Sequence, residues 1–385
     1  MKILLLANSD WFLHRFCSEL AAALRAAGCD LVLASPPGEY ARRLQDAGFE
    51  WRPVRIARRR LRPLAELRTL AGLRALLGAE RPDLVHFFTL KAALYGTLAV
   101  RLSAAGRRTA IVSSITGLGY LWSTPGWRVR LLRRTAELAA RWLLPRTRLI
   151  FLNRDDFDEF RRRGLAAAER SHLIPGSGVD CERFRPSPGE DPAAVPVVAF
   201  VGRLLRSKGA GDFVAAARRL RERGVEARFV LVGESDAGNP DAVPAGEIEG
   251  WRKQGFVEVW GFRDDVADVY RRSSIVCLPT VYREGVPTVL LEAAACGKPV
   301  VATDMPGCRE AVADGDSGLL VPPGDVAALS EALAKLLADP SLRLRMGESG
   351  RRRAIERFDV RKVVAATLEV YRRSGVEVPS GDGGV

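Results

Sequence analysis

The chain has 385 residues, of which 47% are apolar and 27% charged. Those are the proportions of folded globular domains, and they exclude a disordered, collagen-like or low-complexity chain. The formal net charge of +13 is lopsided: residues 51–150 carry 20 Lys and Arg against 4 Asp and Glu, whereas residues 191–385 carry 27 against 28.

A one-sided basic field points to an anionic partner: nucleic acid, a phosphorylated substrate or an acidic membrane surface. No apolar run reaches the roughly 18 residues that cross a bilayer. The start, Met1–Ala7, is too short an apolar run for a signal peptide, so the expected location is the cytoplasm. Cysteines 17, 29, 181, 277, 296 and 308 are scattered, which in such a chain reads as buried thiols and not as a disulfide frame or zinc site.

In chain order, apolar runs alternate with helical periodicity. Ile3–Ala7 reads as a strand, 12–27 as a helix, Leu31–Ala34 as a strand and Tyr40–Ala47 as a helix. Helix 64–79 follows, then strand Leu84–Phe88, helix Ala92–Ala104, strand Ala110–Ser114, helix 127–144 and strand Arg148–Asn153. Positive charge concentrates at Arg58–Arg62 and in 127–144. There Trp127, Leu131, Leu138 and Trp142 share one helical face, ringed by Arg128, Arg130, Arg133, Arg134 and Arg141. That pattern suits an interfacial membrane contact, or equally a core-packed helix with a solvated basic face. No zinc-finger, homeodomain or RNP pattern supports nucleic acid.

The turn-rich stretch Phe184–Pro192 reads as a linker. The alternation then restarts with strand Val197–Val201, helix Ala210–Gly224, strand Arg228–Val232, helix 246–254, strand Val257–Trp260 and helix Asp264–Arg272. Strand Ile275–Leu278, helix Thr288–Cys296, strand Pro299–Thr303, helix 307–313, strand Leu319–Val321 and helix 325–338 complete it. The expected fold is α/β, with two Rossmann-like domains, 1–190 and 191–358, facing across a cleft. A helix at 359–373 is expected to return toward the first domain, ahead of a disordered tail at 374–385.

Two motifs in the second half carry chemistry. Gly202-Arg203…Lys208-Gly209 follows a strand, where glycine lets backbone approach a ligand and two cations suit a diphosphate. It is not a P-loop. Glu284-Gly285-Val286-Pro287-Thr288-Val289 leads into a helix, so the amides of Thr288 and Val289 suit an anion. Glu292 lies eight residues beyond Glu284, among apolar neighbours where an acid needs a partner. Two carboxylates for hydroxyls and amides for phosphate together suit a sugar nucleotide.

These residues, with Gly297–Asp304, Glu310 and Gly261-Phe262-Arg263, resemble the retaining glycosyltransferases of family four, of the two-Rossmann-domain GT-B type. The resemblance covers most of 195–340. It implies that Arg203 and Lys208 bind the donor diphosphate, Glu284 the sugar hydroxyls, Glu292 the ribose and Phe262 the base. In the first half, His14-Arg15, the stretch from His86 through Lys91 to Gly96, and Thr116-Gly117 resemble the bacterial branch that extends polyprenyl-diphosphate-linked saccharides of O-antigen, capsule or protein glycans. Asn8, His14, Arg15, Lys91, Thr116 and Gly117 are then acceptor residues, with His86, Lys91 and Glu284 the catalytic candidates. One departure stands out: the first loop reads Asn8-Ser9-Asp10 where many members carry paired glycines.

The resemblance implies a UDP-sugar donor (an N-acetylhexosamine or related hexose), retention of anomeric configuration and no metal requirement, since no DxD-type site is evident. It places the enzyme peripherally on the inner face of the cytoplasmic membrane, bound to anionic lipid. Two other readings stay open: a GT-B enzyme with a soluble acceptor, and a basic nucleic-acid-binding protein without turnover. A nicotinamide oxidoreductase is disfavoured because GxGxxG follows the first strand of neither half.

Overall fold

The computed structural model describes residues 1–56, 63–103, 108–124, 126–186, 195–236 and 238–379. The chain divides into two compact units, Met1–Ser177 with Arg361–Val385, and Gly178–Val360. The basic run Arg58–Arg62 lies outside the described residues, as do 187–192 of the expected linker and 380–385 of the expected tail.

The first unit runs β1 (Lys2–Leu6), α1 (Asp10–Phe16), α2 (Ser18–Ala26), β2 (Asp30–Ser35), α3 (Glu39–Asp46), β3 (Glu50–Pro53), α4 (Pro63–Glu80), β4 (Leu84–Phe88) and α5 (Leu90–Leu102). It continues through β5 (Ala110–Ile115), α6 (Gly119–Ser123), α7 (Trp127–Leu143), β6 (Arg148–Phe151), α8 (Arg154–Arg162) and β7 (Ser171–Leu173). Among the described residues its sheet has seven parallel strands in the order β3-β2-β1-β4-β5-β6-β7. β1 and β4 are buried almost throughout because helices cover both faces. The expected helix 12–27 is two helices that break at Cys17. There the Ser18 hydroxyl donates to the His14 carbonyl at 2.6 Å, a local alternative to helix continuation.

The second unit holds β8 (Val197–Val201), α9 (Ala210–Glu222), β9 (Arg228–Val232), α10 (Ala245–Gln254), β10 (Glu258–Gly261), α11 (Val266–Arg271) and β11 (Ile275–Leu278). Then come α12 (Thr288–Ala295), β12 (Val300–Thr303), α13 (Pro306–Ala311), β13 (Gly318–Val321), α14 (Val326–Ala338) and α15 (Pro340–Arg353). Its parallel sheet has the order β10-β9-β8-β11-β12-β13 among the described residues. α16 (Val360–Arg373) leaves this unit and ends in the first.

Three boundaries differ from expectation. The first unit ends at Ser177, not 190, because 178–186 is bound into the second: the Val179 N–H donates to Phe358 O at 2.8 Å, and Phe184 is buried against Tyr270. So the described part of the expected linker, 184–186, is anchored. The tail is likewise ordered at its start: Val376 and Val378, alternating along the chain, are both buried. α8 and α15 went unforeseen because both are rich in charge and lack an apolar run.

One guanidinium fastens segment 178–186. Arg351 Nη1 donates to the carbonyls of Cys181 (2.9 Å), Phe184 (2.8 Å) and Ala295 (2.7 Å). Arg351→Met keeps the aliphatic stem but orphans three carbonyls. It is expected to destabilise the protein by about 3 kcal/mol, since charged donors to buried acceptors are the costly ones to lose. Urea unfolding checks this; a change under about 0.5 kcal/mol, the level of an ordinary surface substitution, would refute it.

Candidate active site

In an open parallel sheet, ligands bind beyond the carboxyl ends of the strands, where the strand order reverses. In the second unit that point lies between β8 and β11. The loops after these two strands carry Gly202–Gly209 and Pro279–Pro287, and the structure brings their functional side chains together. Lys208 Nζ lies 2.5 Å from Glu284 Oε2, both side chains 18% exposed.

The backbone around this pair is closely fitted. Gly209 has φ +79°, and a Cβ there would sit 2.0 Å from the Pro279 carbonyl. Glycine is therefore required for the Arg206–Lys208 turn to pack on the next loop. Gly307, in α13, makes room in the same way for the Gly285 carbonyl, 2.4 Å from where its Cβ would be. Thr280 is fully buried between the loops: its hydroxyl lies 3.0 Å from Ser207 O and 3.3 Å from Glu284 Oε1, and accepts from the Tyr282 N–H at 3.2 Å.

The other expected donor residues lie on the segments that follow β8, β10 and β11. Gly202 directly follows β8, its N–H bonded to Val232 O at 2.9 Å. Arg203 is largely exposed and pairs with Asp236 at 3.1 Å, on the loop after β9. Gly285 is buried, and α12 begins at Thr288 and Val289 with no side-chain cap. Among the described residues the amides of Thr288 and Val289 meet no intrahelical or side-chain acceptor, which favours an anion. Glu292 is buried, and its Oε2 accepts from the Tyr270 hydroxyl at 2.8 Å. Phe262 is exposed just past β10, two strands from β8 and so about 10 Å across the sheet by the inter-strand spacing. Sequence reasoning missed Asp236, Thr280 and Tyr270; none stands in a recognisable spacing.

In the first unit the reversal falls between β1 and β4. The loop after β1 carries Asn8. Ser9 caps α1 through the Phe12 N–H at 3.1 Å, and buried Asp10 accepts from the Tyr40 and Ala41 amides at 2.8 and 3.1 Å. This explains Asn8-Ser9-Asp10 where glycines were expected: the loop spends its side chains on two helix N-termini. His14 and Arg15 close α1, with the His14 ring 5.2 Å from Tyr40. Burial first, then Arg43 and Arg15, lowers the His14 pKa. Lys91 lies in the first turn of α5 and pairs with Glu66 at 2.9 Å. Glu66, one of few acids in the basic stretch, could have been singled out on that ground. Thr116 and Gly117 follow β5.

His86 departs from its expected catalytic part. It lies within β4, 1% exposed, with Nδ1 2.6 Å from the Tyr371 hydroxyl and Nε2 2.8 Å from Ser114 Oγ. Both ring nitrogens are occupied and the ring stacks on Phe88, so it presents no atom to a substrate. Burial pushes its pKa down to about 3.

The matches to known proteins agree with this architecture. Residues 13–176 match the model of the glycosyl transferase 4-like domain and residues 195–339 that of glycosyl transferases group 1. The chain belongs to this glycosyltransferase family. It is 27% identical, over 97% of its length and 99% of that protein, to the N,N'-diacetylbacillosaminyl-diphospho-undecaprenol alpha-1,3-N-acetylgalactosaminyltransferase of Campylobacter jejuni. It is 38% identical to the D-inositol 3-phosphate glycosyltransferase of Kribbella flavida, over 52% of this chain and 50% of that protein. The fold matches sucrose-phosphate synthase of Thermosynechococcus elongatus (TM-score 0.79, 22% identity, 97% of this chain and 99% of that one). It equally matches Anabaena Alr3699/HepE in complex with UDP (TM-score 0.78, 22% identity, 97% and 100%). The fold is thus of the GT-B class, and the protein is a glycosyltransferase.

The buried histidine carries a pH prediction. In the unfolded chain it takes up a proton near its ordinary value of 6.5; in the folded protein it resists until about 3. The unfolded state binds more protons across that window, so stability is lost as pH falls through it. Between pH 7 and pH 5 the wild type should lose about 2 kcal/mol more than His86→Gln. Urea unfolding at the two pH values measures it, and parallel losses would refute it.

Proposed function

We propose that the protein transfers a sugar from a UDP-sugar to a polyprenyl-diphosphate-linked saccharide, with retention at the anomeric carbon. The Lys208–Glu284 pair at the strand reversal of the second unit carries this reading. A nucleotide sugar brings hydroxyls and a diphosphate together, and this pair offers a carboxylate and a cation within one hydrogen bond of each other. Arg203 and the uncapped start of α12 add positive potential where charge grows on the leaving diphosphate. Glu292 is assigned to the ribose and Phe262 to the face of the base. The reading needs no divalent metal, because these groups supply the charge. The UDP complex of the Anabaena fold relative and the undecaprenol-linked substrate of the Campylobacter relative support it.

On the acceptor side, Asn8, His14, Arg15, Lys91, Thr116 and Gly117 follow the reversal strands of the first unit or the next strand, β5. Lys91 and the basic surface suit a diphosphate held at a lipid boundary. The helix α7 supports the lipid. Trp127, Leu131, Leu138 and Trp142 are each 58–65% exposed, while Val129, Ala140 and Leu143 face inward. Exposed Arg128, Arg130, Arg134 and Arg141 flank that apolar stripe. Tryptophans at headgroup depth with arginines toward lipid phosphate would place the protein on the inner face of the membrane. No helix among the described residues is long and apolar enough to cross a membrane. The similarity to an inositol-phosphate glycosyltransferase over half the chain favours, as a second reading, a soluble acceptor.

UDP release from a panel of UDP-sugars, with and without an undecaprenyl-diphosphate monosaccharide, separates the two. Acceptor-dependent release that chelation leaves unchanged is the expected result; release driven instead by inositol phosphate would select the second reading. Glu284→Gln should lower kcat by about 100-fold or more, as for lost transition-state contacts, while leaving stability within about 1 kcal/mol. Unaltered turnover would remove Glu284 from the site.

Liposome flotation tests the membrane face. The wild type should float with vesicles containing phosphatidylglycerol and not with neutral ones, and Trp127→Ala with Trp142→Ala should abolish flotation. Equal behaviour of wild type and double variant would assign α7 to another surface.

A further inference from the structure

We propose that Tyr371 is a positioning residue for the acceptor loops and acts on them through His86. The inference rests on the acceptor reading above. Tyr371 comes from α16, 285 residues away in sequence from His86, and is fully buried.

His86 is linked to each of the three segments that carry the acceptor residues, directly at Ser114 and Phe88 and through these two at Thr89 and Phe12. Its Nε2 faces Ser114 Oγ at 2.8 Å, on the strand that runs into Thr116 and Gly117. The Ser114 carbonyl accepts the Thr89 N–H at 2.9 Å. Thr89 starts α5, two residues before Lys91, and holds a φ of +90°. A β-branched residue adopts that backbone only where its surroundings enforce it. On its face, the His86 ring stacks on Phe88 at 4.1 Å, and Phe88 meets Phe12 of α1 at 5.4 Å, the helix that ends in His14 and Arg15.

The chemistry of the ring makes this arrangement directional. A neutral imidazole has one N–H and one acceptor nitrogen, so one hydroxyl must donate to it and the other must accept from it. Tyr371 and Ser114 can each do either, but together they must choose opposite roles. Removing the tyrosine hydroxyl leaves Nδ1 buried beside a bare ring. It also releases the Ser114 hydroxyl from its assigned role and loosens the end of β5, where the Ser114 carbonyl takes the Thr89 N–H beside the strained turn. A purely structural tyrosine would depress all activity in proportion to the folded fraction. A positioning tyrosine changes the acceptor side and spares the donor side, because Lys208, Glu284 and Arg203 lie in the other unit.

Tyr371→Phe tests this in the full chain, with UDP-N-acetylgalactosamine as donor and undecaprenyl-diphosphate N-acetylhexosamine in detergent micelles as acceptor. The expected result is an acceptor KM raised about tenfold, the equivalent of one lost buried hydrogen bond, with acceptor-independent donor hydrolysis within about twofold of wild type. Transfer and hydrolysis falling together, or neither moving, would overturn the proposal. Hydrogen exchange supplies a readout independent of turnover. Segments 87–95 and 112–118 should exchange faster in the variant, while 197–201 and 275–284 stay as in the wild type. Unchanged exchange in the first two segments would overturn the positioning role even if no acceptor were turned over. Wild type that exchanges as described but transfers no sugar would instead count against the acceptor reading.

Discussion

Parallel pairing is the constraint on which each unit depends. A parallel strand returns only through a crossover, so its helices must cover the sheet and its post-strand loops must gather along one edge. Where the strand order reverses, two neighbouring loops leave in opposite directions and open a crevice. In the second unit the loops after β8 and β11 border that crevice, and Lys208 meets Glu284 there. In the first unit the loop after β1, bearing Asn8, and the start of α5 after β4, bearing Lys91, do so. Chemistry follows from topology: Lys208 and Glu284 are neighbours because β8 and β11 are.

Burying polar groups near such a crevice is costly unless each has a partner. The interior answers with long-range pairs. Glu292 has Tyr270, His86 has Tyr371 and Ser114, and Arg351 holds three carbonyls. Near the surface, Arg203 pairs with Asp236 and Lys91 with Glu66. An arriving diphosphate would compete with those carboxylates for the cations. An exposed pair such as Arg203–Asp236 contributes little to stability and is readily exchanged, so under the proposed function the same arginine would serve the resting protein and a bound substrate.

Much of the candidate site in the second unit was legible in the residues. Gly202–Gly209 and Glu284–Glu292 stand at short fixed spacings after strong apolar strands, and local geometry then dictates where their side chains go. The candidate residues of the first unit were less legible. His86 read as a catalytic candidate because it opens the stretch through Lys91 to Gly96 that carries the resemblance; its partner Tyr371 is connected to it by no local pattern. The stripe of Trp127, Leu131, Leu138 and Trp142 was visible as a helical face, yet periodicity cannot say whether such a face turns inward or outward. α8 and α15 were invisible for the opposite reason, since their helices are held by polar contacts and caps as much as by an apolar face.

The sequence by itself determined the alternating α/β architecture, the two-unit plan, the basic stretch and the two motifs that meet in the second unit, because these rest on interactions between residues near one another in the chain. The tertiary structure decided what depends on distant residues meeting. It ended the first unit at Ser177, ordered Val376 and Val378, turned the tryptophans of α7 outward and enclosed His86 between two hydroxyls. Each of these is a question of which surface is buried against which, and burial is a property of the assembled fold that no local spacing encodes.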